Sequence, residues 1–129
     1  MKVAIPIFGS RVSPRFDCSN IFLIISIEEN KVQSREKVIF SNPNPIQKVD
    51  DLANMGIDTV ICAGLNEFSY QLFLNRGLKV IPWVTGNVDE IIDLLLKKEL
   101  KSGITLFPDG RKIFRKFRRF RHKYGRKFN

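Results

Sequence analysis

The chain is short of the residues that most enzyme and metal chemistries require. It holds one histidine, His122, and two cysteines, Cys18 and Cys62. Two cysteines are too few for a disulfide-stapled secreted scaffold. A single histidine, placed among the last residues, excludes a Ser-His-Asp or Cys-His triad inside the body of the domain unless the terminus folds back. The phosphate-cradling patterns GxxxxGK[ST] and GxGxxG are missing. Clustered carboxylates suited to two-metal phosphoryl chemistry are missing too, since KVAIPIF and TVICA carry no acid. No apolar run approaches the roughly 18 residues of a membrane span. The N-terminus MKVAIPIFGSRV turns polar too early for a secretory leader. These absences point to a non-catalytic, cytoplasmic protein with no transmembrane segment.

Acidic residues are missing from one region in particular. Residues 1–110 hold 12 Lys+Arg against all 13 Asp+Glu, and residues 111–129 hold 10 Lys+Arg and no acid. The net charge of +9 therefore belongs to the terminus, beyond a nearly neutral domain.

The apolar pattern of that domain reads as alternating elements. Lys2–Phe8 is a buried strand with a distortion expected at Pro6, because proline removes a ladder donor. Residues 9–20 form a loop, and Ile21–Ile27 and Lys31–Phe40 a hairpin turning at Glu28–Asn30. Asn44 caps a helix with Pro45 at its first position and Gly56 at its close. Asp58–Ala63 is a short buried strand. Asn66–Arg76 is a helix with Leu65, Phe68 and Leu72 available for its inner face, and Leu78–Val84 a strand interrupted at Pro82. Asn87 and Glu90 have capping-box spacing for a helix reaching about Leu100, and 102–110 is a connector. A hairpin followed by alternating strands and helices gives an α/β fold with a mixed sheet and helices on both faces.

Chemistry-bearing residues concentrate in Gly9-Ser-Arg-Val-Ser-Pro-Arg-Phe-Asp-Cys-Ser19, a loop leaving the first strand. Ligand sites of open α/β sheets lie beyond the strands' carboxyl ends. Arg11 and Arg15 offer charge-assisted donors to an anion. Cys18, assisted by Asp17, offers a soft ligand to a transition metal. The plainer alternative is a solvated loop with a small buried cysteine. Cys62 is either a core residue or a second metal contact, and Gly64 with Asn66 at the next helix N-terminus is a candidate anion seat. Trp83 either lines the same crevice or packs. Two cysteines also fall short of the four thiolates of ordinary iron–sulfur sites.

The terminal run RKIFRKFRRFRHKYGRKFN places Ile113, Phe117, Phe120, Tyr124 and Phe128 at near-helical spacing. Its cations, among them Arg115, Lys116, Arg118, Arg119, Arg121 and Lys123, suit nucleic acid, another polyanion or an anionic surface. The alternative is a stripe that docks on the domain or on a second subunit.

The segments Ser13-Pro-Arg-Phe-Asp-Cys18, Ile61-Cys-Ala-Gly64 and Gly77-Leu-Lys-Val-Ile-Pro82 resemble the small single-domain proteins of the dinitrogenase iron-molybdenum cofactor biosynthesis family. The resemblance spans about residues 1–107, leaving 108–129 as a basic aromatic tail, helical or partly disordered. It implies a three-layer α/β/α ribonuclease-H-like motif with a mixed five-stranded sheet. It further implies a binding or carrier role for an iron-molybdenum cofactor or related iron–sulfur cluster, with cluster assembly or acceptor proteins as partners. On this resemblance Cys18 is the leading cluster contact.

Overall fold

The computed structural model describes residues 1–42 and 44–106, together with the backbone of residues 112–114. Its elements are β1 (Lys2–Phe8), β2 (Arg11–Val12), β3 (Ile21–Glu28), β4 (Lys31–Ile39), α1 (Pro45–Asn54), β5 (Thr59–Ile61), α2 (Glu67–Asn75), β6 (Lys79–Ile81), α3 (Val88–Leu96), β7 (Ile104–Leu106) and β8 (Lys112–Phe114). The main sheet runs β4-β3-β1-β5-β6, with β2 paired to β1 off that path. β4, β3 and β1 are antiparallel neighbours, whereas β1, β5 and β6 are parallel. The sheet is therefore mixed, as expected, and the ribonuclease-H-like order follows from adding β5 beside β1 and then β6 beside β5.

Strand alternation divides the interior into two cores. Val3, Ile5, Leu23, Ile25 and Ile61 point to the face covered by α3 and β7, where Ile91, Ile92 and Ile104 are buried. Ala4, Phe22, Ile24 and Val60 point to the other face, against Val49 and Leu52 of α1 and Phe73 of α2. β1 and β3 bury residues of both faces, which is why they read as continuous apolar runs. Helices on both faces complete the three layers.

The local signals act as their chemistry dictates. Glu29 and Asn30 both have positive φ, 53° and 62°, and form a two-residue hairpin turn. Asn44, Asn66 and Asn87 each accept a backbone N–H from the first turn of the helix they precede.

Several expectations need correction. The β1–β3 register passes unbroken through Pro6↔Phe22, with no distortion at the proline. The β1–β5 pairing extends only over Val3 and Ala4, and the Pro6 carbonyl instead accepts Ser13 N–H at 2.8 Å. The loop after β1 contains strand β2, too short to show a period. α2 buries Ser69 and Phe73 and leaves Phe68 55% exposed, one position round from the expected face. Asn87 caps through Asp89 N–H, and α3 ends at Leu96, before the expected Leu100. The connector after α3 contains β7, paired antiparallel with β8. The anticipated helical stripe beginning at Ile113 thus starts in a strand. Arg115, Lys116, Arg118, Arg119, Arg121 and Lys123 lie outside the described residues.

Candidate functional site

Because β1, β5 and β6 are parallel, the segments that follow them emerge at one sheet edge. Backbone hydrogen bonds knit these segments together. Trp83 N–H donates to Ala63 O at 2.9 Å, Val12 N–H to Gly86 O at 3.0 Å, and Thr85 N–H to Ile104 O at 2.9 Å. Between them lies a cleft of about 340 Å³, lined by Arg11, Pro14, Gly64, Trp83, Thr85 and Thr105 among others. Its position beyond the carboxyl ends of parallel strands is the one open α/β sheets use for ligands.

Two backbone features shape the cleft. Trp83 adopts φ of 63°, a left-handed conformation disfavoured for a bulky side chain. It follows buried Pro82 and its amide is held by Ala63, so neighbouring structure enforces the conformation. Gly64 is the second feature. A Cβ there would stand 2.6 Å from Pro14 O, leaving no room for any side chain. Gly64 N–H donates to Pro14 O at 2.7 Å and Gly64 O accepts Phe16 N–H at 2.9 Å, a parallel bridge that fastens the 13–16 segment to the end of β5.

The rest of the loop is anchored as firmly. Phe16 is fully buried and meets Phe22 and Phe73 edge-on, at centroid distances of 5.8 and 5.0 Å. The Ser19 hydroxyl contacts Ser13 Oγ at 2.6 Å and Arg15 O at 2.7 Å. Beneath them Lys48 of α1, only 1% exposed, donates from Nζ to Ser19 O at 2.7 Å and Asp17 O at 3.1 Å. Its ammonium also lies 5.7 Å from the Phe16 ring centroid. Burial pushes the Lys48 pKa down, opposed by the Asp17 and Cys18 charges.

The candidate residues separate on this scaffold. Arg11 and Gly64 line the cleft. Cys18 is exposed and does not line it; its flanking carbonyls face Lys48. Arg15 is engaged with Asp17 in a two-pronged pair, Nε–Oδ1 at 3.1 Å and Nη2–Oδ2 at 2.8 Å, so the Asp17 carboxylate is already committed. Asn66 spends its side-chain oxygen on Ser69 N–H as the cap of α2. Cys62 is the clear departure from the proposed metal set. It is fully buried in the core beneath α1 and α2, and burial pushes its thiol up to about 12. A protonated, enclosed thiol is a packing group.

Among the described residues, no three His, Cys, Asp or Glu side chains come together as a metal-binding group. None of the described helices is long and apolar enough to cross a membrane. Sequence reading missed Lys48, Phe16 and Thr105. A lysine between Gln47 and Val49 reads as a solvated face, and Thr105 falls in a segment without apparent period. Phe16 alone carried a signal, as a large apolar side chain inside an otherwise polar loop.

Comparison with known proteins agrees with this fold. The uncharacterized protein MJ0580 of Methanocaldococcus jannaschii is 30% identical over 107 residues, covering 79% of this chain and 91% of the relative. The crystal structure of MJ0327, from the same organism, has a TM-score of 0.66 at 25% identity, covering 78% of this chain and 92% of that one. The apo form of the orange protein from Desulfovibrio gigas, with a TM-score of 0.65 at 19% identity over 78% of this chain and 91% of that one, shares the fold. The profile of the family described as dinitrogenase iron-molybdenum cofactor matches residues 1–98, which include β1 to α3, the Arg11–Cys18 loop and Gly64. With most of its length matched and its fold shared, the chain belongs to the dinitrogenase iron-molybdenum cofactor family.

Proposed function

We propose that the protein is a non-catalytic carrier that receives an anionic metal–sulfur cluster already assembled and passes it to an acceptor protein. The observation that carries this reading is the make-up of the cleft. Arg11 is the one charged residue of its lining among the described residues, set beside Gly64, which bares backbone, and Trp83, Thr85 and Thr105. Building a cluster in place needs several thiolate or imidazole ligands. The donor set here, one exposed thiol and no three-ligand group among the described residues, fits a cargo that brings its own bridging sulfides.

In this reading Arg11 supplies charge-assisted hydrogen bonds to cluster sulfides, and Trp83 supplies an apolar, polarizable wall. Cys18 supplies the one thiolate ligand, from the shoulder of the loop. Arg15 and Asp17 flank that shoulder, paired with one another. Family membership supports the class of cargo, whether iron-molybdenum cofactor or a related iron–sulfur cluster.

The test is anaerobic incubation with a thiolate-capped iron–sulfur cluster or with tetrathiomolybdate, then desalting, metal analysis and visible absorption. Wild type should retain metal near stoichiometry. Arg11→Ala should lose most of it, and Cys18→Ser should retain less iron–sulfur cluster while still binding tetrathiomolybdate. Wild type that emerges metal-free with both probes would refute the carrier reading.

A further inference from the structure

The family match ends at residue 98, but the cleft takes a further wall from the chain beyond it. Thr105, on β7, is one of its lining residues. β7 is fastened to the segment that follows β6 along its whole length. Ahead of the strand, Ser102 Oγ donates to Pro82 O at 2.7 Å. Within it, Thr85 N–H donates to Ile104 O and Leu106 N–H to Thr85 O, each at 2.9 Å. At its end, a Cβ on Gly86, whose φ is 144°, would lie 2.8 Å from Leu106 Cβ, so the two segments approach as closely as a glycine permits. The other edge of the same segment is held by β2, through Val12 N–H to Gly86 O and the antiparallel bridge Arg11↔Asn87. Residues 85–87 thus run between β2 and β7, with Arg11 on one flank and Thr105 on the other.

Register decides which side chains this ribbon turns to the cleft. Thr85 and Thr105 are partners in a parallel bridge, so their side chains share one face. Ile104 and Leu106, the neighbours of Thr105, are buried in the core, as is Val84 beside Thr85. Alternation then sends both threonines the other way, out of the core and toward the cleft that they line. Nearby serine hydroxyls are spent inside the protein, Ser19 on Arg15 O and Ser102 on Pro82 O. Among the described residues no protein group takes the hydroxyl of Thr85 or Thr105, so both donors are open to a ligand.

We infer that Thr105 is a specificity-determining residue of the cargo site: with Thr85 it forms a pair of hydroxyl donors that favours metal anions presenting oxygen over those presenting only sulfide. A hydroxyl makes a short, strong hydrogen bond to an anionic oxygen, whereas sulfur is a weak acceptor. Arg11 attracts either anion by its charge and so adds affinity without making this choice. The inference rests on the carrier reading and adds to it which face of the cargo meets β7, namely one bearing oxygen. The preference is supplied by sequence outside the family-matched region.

The experiment is isothermal titration of the full chain with molybdate and, anaerobically, with tetrathiomolybdate, two tetrahedral dianions that differ in oxygen against sulfide. Wild type should bind both. Thr105→Val keeps the β-branched shape and removes the hydroxyl; it should weaken molybdate at least tenfold more than tetrathiomolybdate. Thr85→Val should shift the ratio of the two affinities the same way. Thr105→Ser, which keeps the hydroxyl without the methyl, should hold that ratio at its wild-type value. Arg11→Ala should weaken both anions alike. An unchanged ratio in Thr105→Val and Thr85→Val would overturn the inference and leave the carrier reading intact, as would a wild type that binds tetrathiomolybdate but no molybdate. Wild type that binds neither anion nor a thiolate-capped iron–sulfur cluster would overturn both.

Discussion

Lys48 straddles Cys18 from below: its Nζ binds the carbonyl of the residue on either side, Asp17 and Ser19, at 3.1 and 2.7 Å. The exposed thiol thus sits on a backbone held by a buried cation from a helix about thirty positions further along the chain. Lys48→Met keeps most of the side-chain volume and removes both hydrogen bonds. Leaving buried carbonyls unsatisfied costs about 1–3 kcal/mol. We expect a loss of that size in urea unfolding, together with faster alkylation of Cys18. An unchanged alkylation rate would mean the loop does not depend on this contact.

The Arg15–Asp17 pair should matter far less to stability, despite its two short contacts. The Arg15 side chain is 63% exposed, and water screens such a pair. Arg15→Ala should therefore shift the unfolding free energy by under about 1 kcal/mol. A larger loss would show that the pair organises the loop as Lys48 does.

Gly64→Ala is the sharper structural test. The new methyl would stand 2.6 Å from Pro14 O, a backbone atom that cannot swing aside as a side-chain tip can. Relief requires parting the loop from the end of β5. Overpacking of this kind costs about 1–3 kcal/mol. The variant should also retain less metal, since Gly64 is the floor of the cleft. A fully stable Gly64→Ala would indicate that the bridge to Pro14 is loose.

The two cysteines should differ in reactivity. Cys18 is accessible and should react with a thiol reagent in the native protein, whereas Cys62 should react only on unfolding. Cys62 is raised to about 12 in the fold from an ordinary 9.0, so above pH 9 the unfolded chain loses a proton that the native state keeps. Stability from this group is complete below pH 9 and falls as pH rises, by about 1.4 kcal/mol at pH 10. The advantage of wild type over Cys62→Ala should shrink by that amount between pH 8 and pH 10, measured by urea unfolding. Lys48, whose folded pKa is lowered, works in the other direction between that value and 10.5 in both proteins, so it cancels in the comparison.

The division between what sequence reading found and what it missed follows from the range of the interactions. Asn44-Pro45, Asn66 and Asn87 act within one turn of their helices, and Glu29-Asn30 within one hairpin, so each was visible where it stands. The loop after β1 was identified from its arginines and cysteine. A crevice beyond the strand ends, with Trp83 as a candidate lining residue, was legible too; the wall at Thr105 was not, because it meets Arg11 and Trp83 only through tertiary structure. β2, two residues long, and β7, three, are too brief for a period to register. Cys62 and Cys18 looked alike as thiols, and only burial separated them. Lys48 was missed for a related reason: its charge is satisfied by carbonyls, and a carbonyl has no residue type to reveal it.

The bond from Lys48 to the loop also couples their opening. Helix α1 cannot leave the sheet without dragging the ammonium off Asp17 and Ser19, and the loop cannot lift without stranding that ammonium over Phe16. The two segments therefore open as one cooperative unit. The backbone under a surface thiol would then carry the opening free energy of the core beneath it, and hydrogen exchange at the Ser19 amide, which donates to Phe16 O, would keep time with that of α1.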